Sequence, residues 1–411
     1  MRHTLSILLL GSSLFAFDLP TLIEQAQRNE QVQAYAKRAE ASNAELESVR
    51  SSYLPRVDLG ASASYIDERG SIDVPETYKA YAEANFVILD GFKRKNLIDE
   101  KTMGSEAGRF DLKGYKKAVS LQVIELYFEL QNVTSDIGAL RQDREQLNEQ
   151  LARFRLFKEA GIATEEDVER LNAAVANADY EIAARQYESD RLRSRLELLS
   201  GTALEGGQAV QRIAMPEQTT EAKRLDRLEA MAYRSRALGY AAEQADSVYY
   251  PTLTLNDTYT WYDYENFDPS FPVDFAEKQN RLTLQLNINL IDFGAAREAK
   301  QALSLQQQAQ ALELRYAEKT AEADRALARK AIERAGTLLA AAEKSKTASD
   351  RTFAVVKKKY EARIVDYIRY LDALSGATEA RAQFNRAQSA LNTAYATYLY
   401  HLGEDPKEYV K

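Results

Sequence analysis

The chain has 411 residues, a formal net charge of −8, only two histidines and no cysteine. The lack of cysteine excludes disulfides, thiolate metal sites and cysteine nucleophiles, and a negative chain without a basic block is not expected to bind nucleic acid. The many carboxylates stand at helical spacing beside Lys and Arg, which is the pattern of surface ion pairs. The composition therefore predicts no enzyme, no metal site and no cofactor.

The first 16 residues have the pattern of a secretory signal. Arg2 and His3 precede an apolar run from Leu5 to Leu10, and the small residue Ala16 stands just before polar sequence begins. This pattern predicts a signal peptide over residues 1–16 and export of the remaining chain; the alternative is a buried N-terminal helix. No later stretch has the roughly 18 apolar residues of a transmembrane helix, so we expect any membrane-spanning part to be β-strand.

Proline positions divide the rest of the chain. Proline is absent between Pro75 and Pro216 and again between Pro272 and Pro406, and both stretches are rich in Ala, Glu, Leu, Arg and Gln. Because proline costs about 3 kcal/mol inside a helix, these stretches predict very long helices. Most of the other prolines lie around short segments with the alternation of β-strands.

The same order of signals occurs twice. Tyr53-Leu54-Pro55 corresponds to Tyr249-Tyr250-Pro251, and Leu89-Asp90-Gly91-Phe92 corresponds to Ile291-Asp292-Phe293-Gly294. A tandem duplication explains this match. We expect a first repeat over 17–201, a linker over 202–225, a second repeat over 226–403 and a tail over 404–411. Each repeat would hold a helix, two strands and a long helical hairpin.

Strands are predicted over 57–66, 80–89, 252–262 and 281–291. Their alternation places apolar side chains on one face and Thr, Asn and Gln on the other, and their length suits a tilted crossing of a bilayer. The alternative is an antiparallel sheet packed on a soluble core. Asp257 falls in the apolar row and would need a bulge or an interfacial position. The predicted lipid-facing residues are Leu253, Leu255, Leu282, Leu284, Leu286 and Ile288.

Four strands are too few to close a membrane barrel, since the smallest bacterial examples have eight. An open sheet edge in lipid would leave backbone groups without hydrogen bonds at a cost of several kcal/mol each. A membrane-spanning sheet of this size therefore requires an oligomer, and three copies would supply twelve strands.

The duplicated order of Tyr-x-Pro, two strands, Asp-Gly or Phe-Gly and a long helical hairpin resembles the TolC-type outer-membrane efflux family over essentially the whole mature chain. The resemblance implies a mainly α protein with transmembrane β-strands, in which a homotrimer forms a 12-stranded β-barrel on an α-helical barrel. It implies a place in the outer membrane of a Gram-negative bacterium, in contact with its lipid and extending into the periplasm. The implied function is the exit duct of a tripartite efflux or type I secretion system.

The same resemblance implies partners and sites. The partners are a periplasmic adaptor protein and an inner-membrane pump of RND, ABC or MFS type. The first hairpin turn, near 161–164, would dock the adaptor through Gly161, Ile162 and Thr164. The second turn, near 362–366, has no glycine and is shorter than the family pattern, so its docking is left open. The implied periplasmic gate consists of Asp167, Arg363, Asp366 and Asp372. In it Arg363 and Asp167 would tie neighbouring helices together, and Asp366 and Asp372 would narrow the pore; the alternative is ordinary solvated helix charge.

Two other functions are compatible with part of the sequence. The first is an exported coiled-coil or adhesin-like structural protein whose small sheet is soluble. The second is a periplasmic adaptor, which also has long helical hairpins, although the tandem duplication does not suit that architecture.

Overall fold

The computed structural model describes residues 17–67, 73–204, 206–215, 222–265 and 274–411. The predicted signal peptide and parts of the predicted inter-strand loops and linker lie outside the described residues. The first repeat forms α1 (Leu19–Ala26), α2 (Glu30–Ser52), β1 (Arg56–Tyr65), β2 (Glu76–Asp90), α3 (Lys93–Glu159) and α4 (Glu165–Ser200). The second repeat forms α5 (Asp226–Ala245), a 3-10 turn (Asp246–Tyr249), β3 (Thr252–Glu265), β4 (Lys278–Asn287), α6 (Ala295–Glu361) and α7 (Tyr367–His401).

The predicted fold class, long helices with four antiparallel strands, is confirmed. Helices α3 and α6 have 67 residues each, which corresponds to about 100 Å per helix. None of the helices in the described ranges combines the length and apolarity needed to cross a membrane.

The chain divides into two compact units. One, called here the sheet unit, comprises Tyr35–Leu112 and Arg227–Ala317; the other, the helical unit, comprises Lys113–Asp226, Glu318–Lys411 and the described part of Met1–Ala34. Helices α3 and α6 contribute residues to both.

The sheet has the order β1-β2-β3-β4, with every neighbouring pair antiparallel. The two hairpins have matching registers, since Arg56 pairs with Asn85 in the first and Thr252 pairs with Asn287 in the second. Paired residues share a face, so the sheet has one face of mainly apolar side chains and one of mainly polar side chains. Strands β1 and β4 are the two edges.

Strand β4 ends at Asn287, so the predicted strand over 288–291 is wrong in the single chain and Ile288 lies beyond it. The physical reason is the lack of a partner, because β3 begins at Thr252 and nothing stands opposite the following residues. Strand β2 is longer than predicted, since it begins at Glu76 and pairs along β3 as far as Glu265.

The sheet does not bulge at Asp257. The register there is continuous, with Asp257 opposite Ala84 on one side and Leu282 on the other, and the single irregularity between β2 and β3 lies at Val87 and Leu89. Asp257 therefore remains in the apolar row. Its Oδ1 atom is buried and has no hydrogen-bond partner among the described residues.

The helical unit has a core around the described part of the linker. Tyr127 of α3 is fully buried and donates its hydroxyl hydrogen bond to the carbonyl of Ala209. The amide of Gln208 donates to the carbonyl of Tyr127, and the Ile213 N–H donates to Asn392 of α7 at 2.9 Å. These bonds anchor residues 208–213 on the long helices.

Candidate functional site

The two turns that join long helices are the first candidate site, and they share one backbone conformation. Residues 160–164 join α3 to α4, and residues 362–366 join α6 to α7. Gly161 has φ of 72° and Arg363 has φ of 58°, both in the left-handed region. The next residue closes each turn, because the Ile162 N–H donates to the Phe157 carbonyl and the Ile364 N–H donates to the Lys359 carbonyl, both at 2.8 Å.

These bonds form the Schellman motif, in which the N–H of the residue after the left-handed residue donates to the carbonyl five positions earlier in the chain. Glycine is the usual residue at the left-handed position because other residues pay about 1 kcal/mol there. The second turn adopts the motif with arginine in place of glycine. The lack of glycine therefore does not change the path of the chain.

The start of the returning helix differs between the turns. In the first, the Thr164 hydroxyl accepts from the Asp167 N–H at 3.2 Å, and the Asp167 carboxylate accepts from the Thr164 N–H at 3.0 Å and from its hydroxyl at 2.7 Å. This is a capping box closed by aspartate. The hydrogen bonds from Thr164 lower the pKa of Asp167. In the second turn, Asp366 caps α7 by accepting from the Arg369 N–H at 2.9 Å.

The predicted gate residues are only partly brought together. Asp167, Arg363 and Asp366 line one cleft of about 550 Å³, whereas Asp372 lies on the exposed side of α7 and not in the cleft lining. Within the described residues, Arg363 forms no ion pair, and the Asp167 carboxylate is bonded to Thr164. The predicted tie between Arg363 and Asp167 is thus not a contact within one chain.

The inner wall of this cleft is aromatic, which the sequence analysis missed. Phe154 of α3 packs on Tyr367 of α7 with ring centroids 4.8 Å apart, and Tyr360 packs on Tyr370 at 4.9 Å. The available signal was the pair Tyr367 and Tyr370, three residues apart on one face of α7, with Tyr360 near the end of α6 just before the turn. We call the four rings of Phe154, Tyr360, Tyr367 and Tyr370 the aromatic cluster.

The hydroxyl groups of this cluster are not equivalent. Tyr360 donates to Gln150 at 3.1 Å and Tyr370 donates to Gln146 at 3.0 Å. The Tyr367 hydroxyl is buried without a hydrogen-bond partner in the described parts of the chain, and its residue is only 8% exposed. Burial raises the pKa of Tyr367 above the ordinary value of a tyrosine.

The tip cleft therefore combines an apolar wall with a charged rim. Arg153, Glu361 and Arg363 stand at the rim, and two isoleucines, Ile162 and Ile364, are 73% and 71% exposed at the turns. Such a surface suits binding of another polypeptide. Among the described residues there is also no group of His, Asp and Glu side chains that could hold a metal ion.

The sheet is the second candidate site. On its apolar face Leu282, Leu284 and Leu286 are 68%, 63% and 59% exposed, while Leu253 and Leu255 on the neighbouring strand are half-buried. Contiguous exposed apolar surface of this kind marks contact with a partner or a membrane.

The opposite face of the sheet carries a hydrogen-bonded polar network. The Asn256 amide donates to Asn85 at 2.6 Å and also to Glu83, and the Thr258 hydroxyl donates to Asn256 at 2.8 Å. At the loop end, Trp261 packs against Tyr259 at a tilt with ring centroids 4.5 Å apart, and Tyr262 stacks on Tyr264 with centroids 5.8 Å apart. The sheet thus separates an apolar side from a water-compatible side and has aromatic rings at one end.

Comparison with family models matches residues 22–202 to the family described as outer membrane efflux protein. Comparison with curated proteins gives no match. The predicted resemblance to this family is confirmed. The matched segment corresponds closely to the first repeat.

Solved structures share the fold over nearly the whole chain. The outer membrane protein VceC of Vibrio cholerae is 14% identical, has a TM-score of 0.81, and aligns over 94% of this chain and 96% of its own. The CmeC outer membrane channel of Campylobacter jejuni is 16% identical, with a TM-score of 0.83 over 94% of this chain and 85% of its own. The MtrE outer membrane channel of Neisseria gonorrhoeae is 16% identical, with a TM-score of 0.78 over 94% of this chain and 89% of its own.

Proposed function

Since the first repeat carries the sequence of the outer membrane efflux protein family and the whole chain has the fold of such channels, we propose that this protein is a trimeric exit duct. In this proposal it passes cargo from an inner-membrane pump, through a periplasmic adaptor, to the exterior in efflux or type I secretion. The family is described as outer membrane efflux protein, and this description supports the predicted outer-membrane location and the predicted lack of enzymatic activity.

The two-faced sheet with two open edges carries the proposal. An exposed leucine face is unfavourable in water, since each fully exposed apolar side chain forgoes about 1.5–3 kcal/mol of burial. Lipid removes that penalty on the leucine face, and a water-filled lumen suits the polar face that holds Asn85 and Asn256. Pairing of the open edges between three copies would give twelve strands without an exposed edge.

The turns are proposed as the docking and gating end. Both present an exposed isoleucine on the same Schellman backbone, so we assign adaptor docking to both turns and not only to the one with glycine. The tip cleft between them would receive side chains of the adaptor. Gly161 and Arg363 occupy the left-handed position of the two turns, and Thr164 caps the helix that follows the first turn.

The gate is proposed to form between copies. Asp372 is exposed on α7, and Arg363 is exposed and forms no ion pair within the described residues, so both are available to a neighbouring subunit. Asp167 and Asp366 are engaged as helix caps and would accept an additional partner on their remaining oxygen lone pairs.

Single-channel recording tests the gate. The Arg363→Ala protein in planar bilayers is expected to have a higher conductance than wild type, because a tie between subunits is lost. The Asp167→Ala variant should act in the same direction, and Arg155→Ala, an exposed residue of α3 outside the cleft lining, is the matched control. Unchanged conductance in both gate variants would refute the gate assignment while leaving the channel itself intact.

Spin labels on β4 separate the channel from the alternative of a soluble coiled-coil or adhesin-like protein. Labels at Leu284 and Leu286 are expected to be accessible to oxygen from lipid, and labels at Gln285 and Asn287 to a water-soluble nickel reagent. The reason is that alternate residues of a strand face opposite sides of the sheet. If all four labels have the same accessibility, the sheet does not separate lipid from water and the exit-duct proposal fails.

A further inference from the structure

The strand pairing within one chain indicates how strands of two copies of the chain would pair with each other. The two hairpins have corresponding registers: β1 begins directly after Pro55 and β3 directly after Pro251, and the pair Arg56–Asn85 corresponds to the pair Thr252–Asn287. Any position of β1 therefore has an equivalent in β3, and any position of β2 has one in β4 or in the residues that directly follow β4.

The residues that lead from each hairpin into the following long helix support this equivalence. Asp90 accepts from the N–H of Arg94 at 2.9 Å, and Asp292 accepts from the N–H of Ala296 at 2.8 Å. Two left-handed residues follow each aspartate, namely Gly91 and Phe92 after the first and Phe293 and Gly294 after the second. Residues 86–90 are therefore equivalent to residues 288–292.

These equivalent segments differ in pairing. Residues 86–90 pair with β3 of the other repeat, with Phe86 opposite Leu255, Asp90 opposite Thr252 and a bulge between them. Residues 288–292 lie outside any strand, and Leu290 and Ile291 are 83% and 71% exposed. The difference follows from position, since β4 is an edge and no strand of the same chain lies beyond it.

We propose that β4 pairs with β1 of a second copy of this chain in the register that β2 uses with β3, including the bulge. This inference rests on the proposed oligomer and specifies its β contact. Leu286 then lies opposite Ala61 of the second copy, Gln285 opposite Ser62 and Leu284 opposite Ala63. After a bulge at Leu290, Ile291 lies opposite Val57 and Asp292 opposite Arg56.

The side chains favour this register. Every pair in it joins residues of the same face, so leucine meets alanine on the apolar side and amide meets hydroxyl on the polar side. A slip by one residue would place leucine opposite serine and move one row to the wrong face. Beyond the bulge, Asp292 and Arg56 have opposite charges. The exposed segment 288–292 becomes strand when the second copy binds.

A cysteine pair tests the register directly, because the natural chain has no cysteine. The double variant Ser62→Cys/Gln285→Cys joins two residues that face each other across the proposed contact, where the Cα separation of about 4.5–5.5 Å permits a disulfide. Within one chain the two positions lie on opposite edges of the sheet, about 14 Å apart across the strands and about eight residues, or roughly 26 Å, apart along them, so they cannot be joined.

Two control pairs represent slips by two residues, which keep both faces. They are Ser64→Cys/Gln285→Cys and Ser62→Cys/Thr283→Cys. After oxidation in native membranes, the Ser62/Gln285 pair is expected to give about tenfold more covalent oligomer than either control on a non-reducing denaturing gel.

The outcomes distinguish the register from the proposed function. A higher yield from either control would overturn the register while the oligomer stands. If native mass measurement shows that the wild type is an oligomer, but no cysteine pair gives a cross-link, then β4 does not pair with β1. A monomeric wild type in outer-membrane extracts would refute the proposed function itself, and the register with it.

Discussion

The two turns of the helical unit have the same backbone but differ in sequence at the left-handed position and at the residue that caps the next helix. Both contain five residues, a left-handed residue in the second position and a Schellman hydrogen bond of 2.8 Å. The first has glycine at the left-handed position and a Thr–Asp capping box, whereas the second has arginine and a single aspartate cap. The conformation is therefore determined by the ends of the helices and their packing, and glycine only lowers its cost.

Truncating the buried side chains after the turns should show the largest difference. Val168 and Tyr370 stand four residues after the caps Thr164 and Asp366, and both are buried. Tyr370→Ala is expected to destabilise the second turn by about 3–5 kcal/mol, and Val168→Ala the first by about 2 kcal/mol. Hydrogen exchange of the amides at 157–164 and 359–366 measures both effects.

Tyr370→Phe is the control for that experiment, because it keeps the ring and removes only the hydrogen bond to Gln146, worth about 1 kcal/mol. Equal losses in the alanine variants of the two turns would mean that the aromatic cluster does not support the second turn more than valine supports the first.

Exchanging the residues at the left-handed position should have effects of opposite sign. Arg363→Gly is expected to stabilise the second turn by about 1 kcal/mol, because a side chain no longer occupies the left-handed region. Gly161→Arg should destabilise the first by a similar amount. A Cβ at Gly161 would meet no atom within 4 Å, so steric clash does not complicate the comparison.

Hydrogen exchange of the Ile162 and Ile364 amides, which close the two Schellman motifs, reports these changes. If Arg363→Gly loosens the second turn, the arginine side chain contributes more through its contacts than its backbone conformation costs.

The smallest effect is expected from the pH dependence of the first cap. Hydrogen bonds from Thr164 lower the pKa of Asp167 below its ordinary value of 3.8. Because the pKa of Asp167 is lower in the folded than in the unfolded protein, the ionised carboxylate stabilises the cap at any pH above its unfolded-state pKa. This stabilisation is lost as the pH falls through its folded-state pKa. The loss therefore occurs in the acid range below about pH 4.

NMR titration of the Asp167 carboxyl should show a shift towards the ordinary value in Thr164→Ala. The same substitution is expected to cost the helix start about 1 kcal/mol at neutral pH. An unchanged pKa in the variant would mean that Thr164 is not the cause of the shift.

Sequence reasoning found the duplication, the helical hairpins and the four strands, because proline spacing and alternation are local signals. The end of β4 could not be predicted from the sequence, because the strand ends where β3 no longer lies opposite it and not at a residue that breaks strands. The aromatic cluster joins Phe154 to Tyr367 across more than half of the chain, and local periodicity does not predict such contacts. The capping box could have been predicted from the sequence, because Thr164 and Asp167 have the three-residue spacing of that motif.

The matching registers of the two hairpins bear on how quickly and how firmly the sheet assembles. The β2–β3 contact is an association between two repeats that one continuous chain holds near each other, at an effective concentration of the order of millimolar. The β4–β1 contact has the same geometry in our proposal but depends on encounters between separate molecules. Three such encounters close a ring that would need six if the repeats were separate proteins. The duplication thus makes half of the contacts in the ring independent of protein concentration.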